Sequence, residues 1–275
     1  MVKIKDDRAK MKKANYSMII LKEFVKTDFK LRYQGSVLGY LWSVLKPLAM
    51  FCILYIILVN FMRVKGDIPY YGLYLLLGII LWNMFAEITS SSIGAVVAKG
   101  DLIRKVNFPK TVIIVSSTLS AMINVIINLS IVAVFMIFLG VPLTWYLPTF
   151  FLFMLEMAAF AMGIGFFLSA IYVKYRDINH IWDVIMQAAF YFTPILYPLY
   201  QYVPASIATI MLASPVTQSI QGARYALVPH DHVITAFNTS YPLLLTIVPA
   251  LVSVATLVLG YRYYIKKSAF FAENV

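Results

Sequence analysis

Few residues in this chain have the types and spacing that chemistry needs. Four ionisable side chains fall inside long apolar runs: Lys46, Glu87, Glu156 and Asp183. Acids placed this way serve proton relays when they form a chain, and three scattered carboxylates make no continuous path. His230-x-His232 has the spacing of a metal pair but no third ligand nearby. There is no Gly-x-x-x-x-Gly-Lys-Ser/Thr loop for a nucleotide and no His-Glu-x-x-His helix for zinc. The single cysteine, Cys52, cannot close an intrachain disulfide. No catalytic constellation remains, so any uphill work draws its energy from a partner. Aromatics are the other chemical resource. Phe51, Tyr55, Trp82, Phe85, Phe190, Tyr191 and Phe192 lie within apolar runs. Their faces can stack on sugar C–H faces and suit a conduit for a repeating polar polymer. Core packing or lipid contact is the competing reading.

The elements that must position these groups belong to a membrane. The chain is 61% hydrophobic and only 13% charged, too little charge for a soluble domain of 275 residues. Apolar runs of about 20 residues match a hydrocarbon core of about 30 Å. Six spans are expected near 37–61, 70–98, 111–139, 147–173, 178–198 and 241–263. The expected fold is therefore an all-α polytopic membrane protein, residues 1–275 forming a single domain. Within it, 1–36 are a cytoplasmic tail and interface helix, 37–265 the six-span core and 266–275 a second tail. The first apolar span begins near Val37 after a long basic leader, too late for a cleavable signal peptide, so none is expected.

Residues 1–15 are Lys-rich and read as a mobile tail. From Tyr16 to Tyr33 the pattern is an amphipathic helix. Met18, Ile20, Leu21, Phe24, Val25, Phe29 and Leu31 share one side, and Lys22, Glu23, Lys26, Thr27 and Lys30 the other. Such a basic helix lies in the membrane interface. Asp28 and Arg32 interrupt its apolar side four residues apart, where they could pair. With the N-terminus inside, 19 of the 23 Lys and Arg fall on the inner side. Arg63, Lys65 and Arg224 fall outside, and Lys46 lies in the first span. That bias places both termini in the cytoplasm. It also accounts for the net charge of +11 without nucleic acid.

Three further stretches stand out. Residues 199–240 hold two apolar stretches, Val203–Leu212 and Pro215–Val228, each too short to span. They read as a re-entrant outer hairpin, or alternatively as surface helices, with Ser214-Pro215 as an N-cap and N1 pair. The fourth span pairs small residues at Ala159/Gly163, Ala161/Gly165 and Gly165/Ser169, which favours close helix packing within the chain over a dimer seam. Lys99–Lys110 is a charged break between two long apolar runs. Gly100 and Asp101 open it, Leu102–Val106 allow a turn or two of helix, and Pro109 stops it.

Three motifs in order carry a resemblance. They are Arg32-Tyr33-x-x-Ser36-Val37-Leu38-Gly39-x-x-Trp42 with Pro47, then Leu102-Ile103-Arg104-Lys105-x-x-Phe108-Pro109, then Arg176-Asp177-Ile178 with Phe192-Thr193-Pro194-Ile195-x-Tyr197. Together they resemble the permease subunits of type-2 ATP-binding-cassette exporters of cell-surface polysaccharide, over about residues 20 to 265. Tyr33-Gln34-Gly35-Ser36 with Leu45-Lys46-Pro47 looks more like the teichoic-acid than the O-antigen side of that family.

The resemblance implies a homodimer of six-span subunits bound to two copies of a cytoplasmic ATPase. ATP and Mg would sit on that partner, and no cofactor on this chain. The cargo would be a polymer on an undecaprenyl diphosphate carrier. Phe24, Lys26, Asp28, Phe29 and Arg32 would belong to the interface helix. Leu102 to Val106 would be the coupling helix, its apolar face Leu102, Ile103 and Val106 set in the ATPase cleft. Arg104 and Lys105 would meet acidic groups there, Phe108 would belong to the same coupling segment, and Pro109 would fix the exit into span three. Tyr33, Trp42, Lys46, Tyr55, Trp82, Phe85, Glu87 and Phe192 are candidates for the substrate entrance and channel. Lys46 and Arg32 would attract the diphosphate, with snorkelling the simpler role for Lys46. Arg176 and Asp177 would fix a cytoplasmic turn. The same fold exporting a drug or small lipid is one alternative. A membrane-embedded enzyme acting on lipid-linked sugars is another, and a channel without a motor is a third.

Overall fold

The computed structural model describes residues 2–33, 38–63, 68–228 and 233–274, and among them all regular structure is helical. The longest helix is α1, Val2–Tyr33. The stretch expected to be mobile is thus a continuation of the interface helix. Nothing between Val2 and Tyr33 breaks it, since the first Gly is Gly35 and the first Pro is Pro47. The side chains of Arg32 and Tyr33, and residues 34–37 of the first motif, lie outside the described residues.

Then come α2 (Trp42–Ile56, closing in a π-helical turn, Ile57–Phe61), α3 (Tyr71–Ala98), α4 (Gly100–Lys105), α5 (Thr111–Leu139) and α6 (Leu147–Tyr172). They are followed by α7 (Ile178–Phe192), α8 (Leu199–Tyr202), α9 (Ala205–Leu212), α10 (Pro215–Leu227), α11 (Pro242–Ser268) and α12 (Phe271–Asn274). Five helical stretches are long and apolar enough to cross a bilayer: Trp42–Phe61, α3, α5, α6 and α11. The expected fifth span, 178–198, is instead a 15-residue helix followed by a non-helical segment. Pro194 has no N–H and pushes the residue before it out of the α region. Thr193 is accordingly extended, φ −79° and ψ 136°.

The hub is α3, which packs against α2, α5, α6, α7 and α10. Its polar half is divided by depth. Thr89 and Ser92 are fully buried, their hydroxyls donating to the carbonyls of Phe85 and Ile88 at 2.9 and 2.7 Å, and Trp182 Nε1 donates to Thr89 Oγ1 at 3.2 Å. Glu87 faces a hollow instead. The short helix α10 is wedged among α3, α6 and α11, with every residue but Tyr225 buried. That excludes the surface-helix reading for α10. Ser214 and Pro215 occupy the N-cap and N1 positions as expected, although the Ser214 side chain makes no capping bond.

The small residues of α6 serve packing within the chain. Phe166 stacks edge-on against Tyr261 and Tyr264, and Phe167 lies 4.9 Å from Tyr263, so α6 and α11 run parallel. Their backbones touch at Gly163 and Gly260. A methyl on Gly163 would lie 2.6 Å from backbone atoms of Thr256 and Leu257. We expect Gly163→Ala to cost about 1–3 kcal/mol by overpacking. Thermal unfolding of the purified protein in detergent checks this, and an unchanged midpoint would mean that the seam yields without strain.

Candidate functional site

Two hollows lie side by side along one face of α3. The first, about 460 Å³, is lined by Trp42, Ser43, Lys46 and Pro47 of α2, Asn83, Ala86 and Glu87 of α3, and Asn124 of α5. The second, about 540 Å³, uses Ile79, Trp82, Asn83 and Ala86 of α3 with Met50 of α2 and residues of α7 that include Asp183, Gln187 and Tyr191. Asn83 and Ala86 belong to both, so the hollows form one groove. The α3 residues lining it stand at 79, 82, 83, 86 and 87, the spacing of a single helical face. Polar groups at this depth are costly unless they face protein or a wet cavity. Here they do both: Asn124 Nδ2 donates to Glu87 Oε2 at 2.7 Å.

The groove gathers Trp42, Lys46, Trp82 and Glu87, four of the residues expected at a channel. Trp82 is braced by Phe85 and Phe190, with ring centroids 5.7 and 5.8 Å away. Phe85 is not part of the groove wall. It is 5% exposed and stacks on Phe160 in the core, because its position on α3 points it toward α6. Tyr55 packs on Phe51 and lines neither hollow. Phe192, at the end of α7, is exposed and also lines neither, whereas its neighbour Tyr191 does. Of the intramembrane acids, Glu87 and Asp183 reach the groove and Glu156, on α6, does not. Asn83, Asn124 and Gln187 went unremarked in the sequence, although amides inside apolar runs were a signal that could have found them.

A second assembly surrounds α4. Lys99 Nζ donates to Asp28 Oδ2 at 2.9 Å and sits 4.2 Å from the Phe24 ring centroid. Ser116 Oγ lies 3.3 Å from the same carboxylate oxygen. Asp28 therefore serves the junction of α1, α4 and α5, which explains why it interrupts an apolar face. Phe24 meets Phe108 edge-on at 5.7 Å. Tyr264 Oη donates to the Lys110 carbonyl at 2.8 Å, and Lys110 Nζ to that of Ser268. Ile103 and Phe108 are both buried, in a cluster with Phe166, Tyr264 and Phe271. This corrects the expected outward face of Leu102, Ile103 and Val106. Ile103 is turned into the chain, Leu102 and Val106 are half-buried, and Asp101, Arg104, Lys105 and Asn107 are exposed. Pro109 is half-buried just before α5. On α1, Phe29 is half-buried and Lys26 exposed. Arg176 and Asp177 are both exposed, with Arg176 5.1 Å from the Tyr172 ring. Asp177 holds the N-cap position of α7 without a side-chain capping bond.

Arg224 is the group that sequence reasoning placed worst. Counted as an outer loop charge, it is fully buried on α10. Its Nε donates to the Tyr74 carbonyl at 3.0 Å. Nη1 donates to the Pro194 carbonyl at 2.6 Å and Gln221 Oε1 at 3.0 Å, and Nη2 to the Ile195 carbonyl at 2.8 Å. The guanidinium lies over the Tyr74 ring at 3.5 Å. Gly78 leaves it room, since a Cβ there would strike Nη2. The carbonyls left bare by the break after α7 are thus satisfied by one planar fork. Tyr71 Oη adds a bond to the Leu196 carbonyl at 2.6 Å. His230 and His232 lie outside the described residues.

Helices of bilayer length enclosing a polar and aromatic groove define a multi-pass membrane protein of transport type. The sequence model of the ABC-2 type transporter family matches residues 21–228, and the chain belongs to that family. It is 30% identical over 209 residues to an O-antigen export system permease protein RfbA of Klebsiella pneumoniae, covering 74% of this chain and 78% of the relative. The protein of the same name from Myxococcus xanthus is 29% identical over 194 residues, covering 70% and 74%. The polysialic acid transport protein KpsM of Escherichia coli is 25% identical over 240 residues, covering 83% and 88%.

Proposed function

We propose that this chain is the membrane subunit of an ATP-driven exporter that moves undecaprenyl-diphosphate-linked polysaccharide, of O-antigen or teichoic-acid type, to the outer face of the bacterial cytoplasmic membrane. The observation that carries this reading is the α2–α3–α7 groove, whose amides, charges and aromatic edges lie beside α2 and α3, helical stretches long and apolar enough to cross a bilayer. Amide groups suit sugar hydroxyls, and Trp42, Trp82 and Tyr191 offer faces for sugar rings. The relatives' names supply the cargo class. The groove is open on one side, and a second copy facing it would close a conduit, so the working unit is a homodimer with two ATPase subunits. Lys46 at its rim would attract the diphosphate.

In this reading both termini are cytoplasmic. The fifth crossing is made by α7 with residues 193–198, and α9 and α10 form the re-entrant outer pair. The helix α4 docks in the ATPase cleft. ATP and Mg reside on that partner and supply the energy. ATP-driven closure moves α4, and the lock of Lys99, Asp28 and Ser116 carries α1 and α5 along with it.

The test is reconstitution with the partner ATPase and measurement of lipid-linked polymer delivered into vesicles. Lys46→Glu is expected to cut delivery by about tenfold or more while the complex still assembles, as reversing a charge at an anion's entrance should. Equal delivery by the variant removes Lys46 from the mechanism. ATPase stimulation by small amphiphiles but not by polymer would favour a small-lipid cargo.

A further inference from the structure

Away from the groove, on the other side of α10, lies a third hollow of about 480 Å³ between α6, α10, α11 and the loop at 235–237. We propose that it binds the uncharged, hydroxyl-bearing head of a membrane lipid of the diacylglycerol or glycosyl-diacylglycerol class. The lipid's chains would leave between Leu152 and Phe237.

The first argument is an unmet acceptor. Gln218 is 4% exposed and lines this hollow. Its Nε2 donates to the Thr246 carbonyl at 3.4 Å, which sets the orientation of the amide. Its Oε1 is then buried with no hydrogen-bond partner among the described residues. A buried acceptor left this way is costly and calls for a donor. The amide beside it is already engaged. Gln221 Oε1 accepts from Arg224 and Tyr74, and its Nε2 donates to the Ile234 carbonyl. Oε1 has almost no accessible surface where it stands, and a small turn of the amide toward the hollow would let a ligand hydroxyl or N–H supply the missing donor.

The second argument is charge. No described lining residue is ionisable apart from Tyr146 and Tyr225, whose rings meet edge-on at 5.4 Å. The nearest guanidinium, one turn and a half along α10, is already bound to three carbonyls and Gln221. A phosphate placed here would lose its water and find no free cation among the described lining residues. A glycerol or sugar hydroxyl meets an amide oxygen and aromatic faces, the mixture that small-molecule sites of about 300–1,000 Å³ use.

The third argument is the exit. Leu152 and Phe237 line the hollow and are 64% and 71% exposed. Leu152 lies on α6, a helix long and apolar enough to cross a bilayer, so in this proposal the mouth of the hollow opens toward acyl chains. A water-soluble sugar would have to leave through the same apolar rim, and this favours an amphiphile.

The experiment uses the purified full chain in an uncharged detergent, titrated with monoglucosyl-dioleoylglycerol or with dioleoylphosphatidylglycerol, the bound lipid being counted by native mass spectrometry. One glucosyl lipid per chain is expected, held at least about tenfold more tightly than the phosphatidyl lipid. Gln218→Leu keeps the side-chain volume and removes the acceptor; it should weaken binding about tenfold, the loss of one hydrogen bond. Phe237→Ala changes only an exposed rim residue, so folding is retained, and it should weaken binding about threefold. Equal binding of the two lipids, unaltered binding in Gln218→Leu, or no saturable site would each overturn the proposal. No ATPase or polymer enters the measurement. The lipid site can thus fail while the export reading stands, and the reverse.

Discussion

Arg224→Ala is expected to destabilise this protein by roughly 3–5 kcal/mol, since several buried acceptors lose their donor at about 1–3 kcal/mol each. The cause lies in the groups left behind. The carbonyls of Tyr74, Pro194 and Ile195 lose their donor together at a fully buried site. Arg224→Lys keeps the charge but not the fork, because one ammonium cannot span acceptors on α3, α10 and the segment after α7; it should rescue little. Gln221→Leu removes one acceptor of several and should cost about 1 kcal/mol. Thermal unfolding in detergent orders the three variants. Wild-type stability in Arg224→Ala would mean that the break at Thr193-Pro194 is held by packing alone. Because Phe190 and Tyr191 precede that break, a partly stable variant should also lose export through a disordered groove wall.

Reversing Arg104 and Lys105 to Glu together leaves the bundle folded and weakens retention of the partner ATPase on the order of a hundredfold. Both side chains are exposed on α4, so no internal contact is lost. Juxtaposing like charges at an interface is what such a reversal does, and its cost falls within the range known for mismatched interfaces. Ile103→Asp makes the contrast. It buries a carboxylate among Phe166, Tyr264 and Phe271, and destabilises the chain itself. Binding of the ATPase to the reconstituted chain, measured beside the thermal midpoint, separates the two effects. Unchanged binding in the Arg104→Glu/Lys105→Glu variant would show that α4 is only a connector.

Hydropathy and local breakers made much of this architecture readable. Runs of apolar residues longer than a bilayer requires became α3, α5, α6 and α11. Gly100 and Pro109 bracket a short helix as expected. In the fifth run, 178–198, the helix stops after 15 residues at Pro194, a break that hydropathy does not register. The tail at 1–15 is helical and continuous with the interface helix, as the absence of Gly and Pro permits; its charge gives no sign of that helix. Lys46, Glu87 and Trp82 stand out as polar or aromatic residues in apolar runs, and Trp42 as part of a motif; only the family resemblance groups them as channel candidates. Nothing in their spacing showed that they share a groove.

The sequence by itself determined the class of element, the approximate ends of the long helices, the charge bias between their two ends and the break at Lys99–Lys110. These depend on residues within a few positions of one another, through helix periodicity and the cost of placing polar backbone in hydrocarbon. Only the tertiary structure decided which way each helix is turned. Rotation about a helix axis is set by contacts between residues far apart in the chain, as where Gly163 meets Gly260. Those contacts turn Ile103 inward and leave Arg104 outside, draw Asp28 to Lys99 across 71 residues, and bury Arg224 where a loop charge was expected. They also leave the buried oxygen of Gln218 without a partner beside a hollow that no local pattern announces.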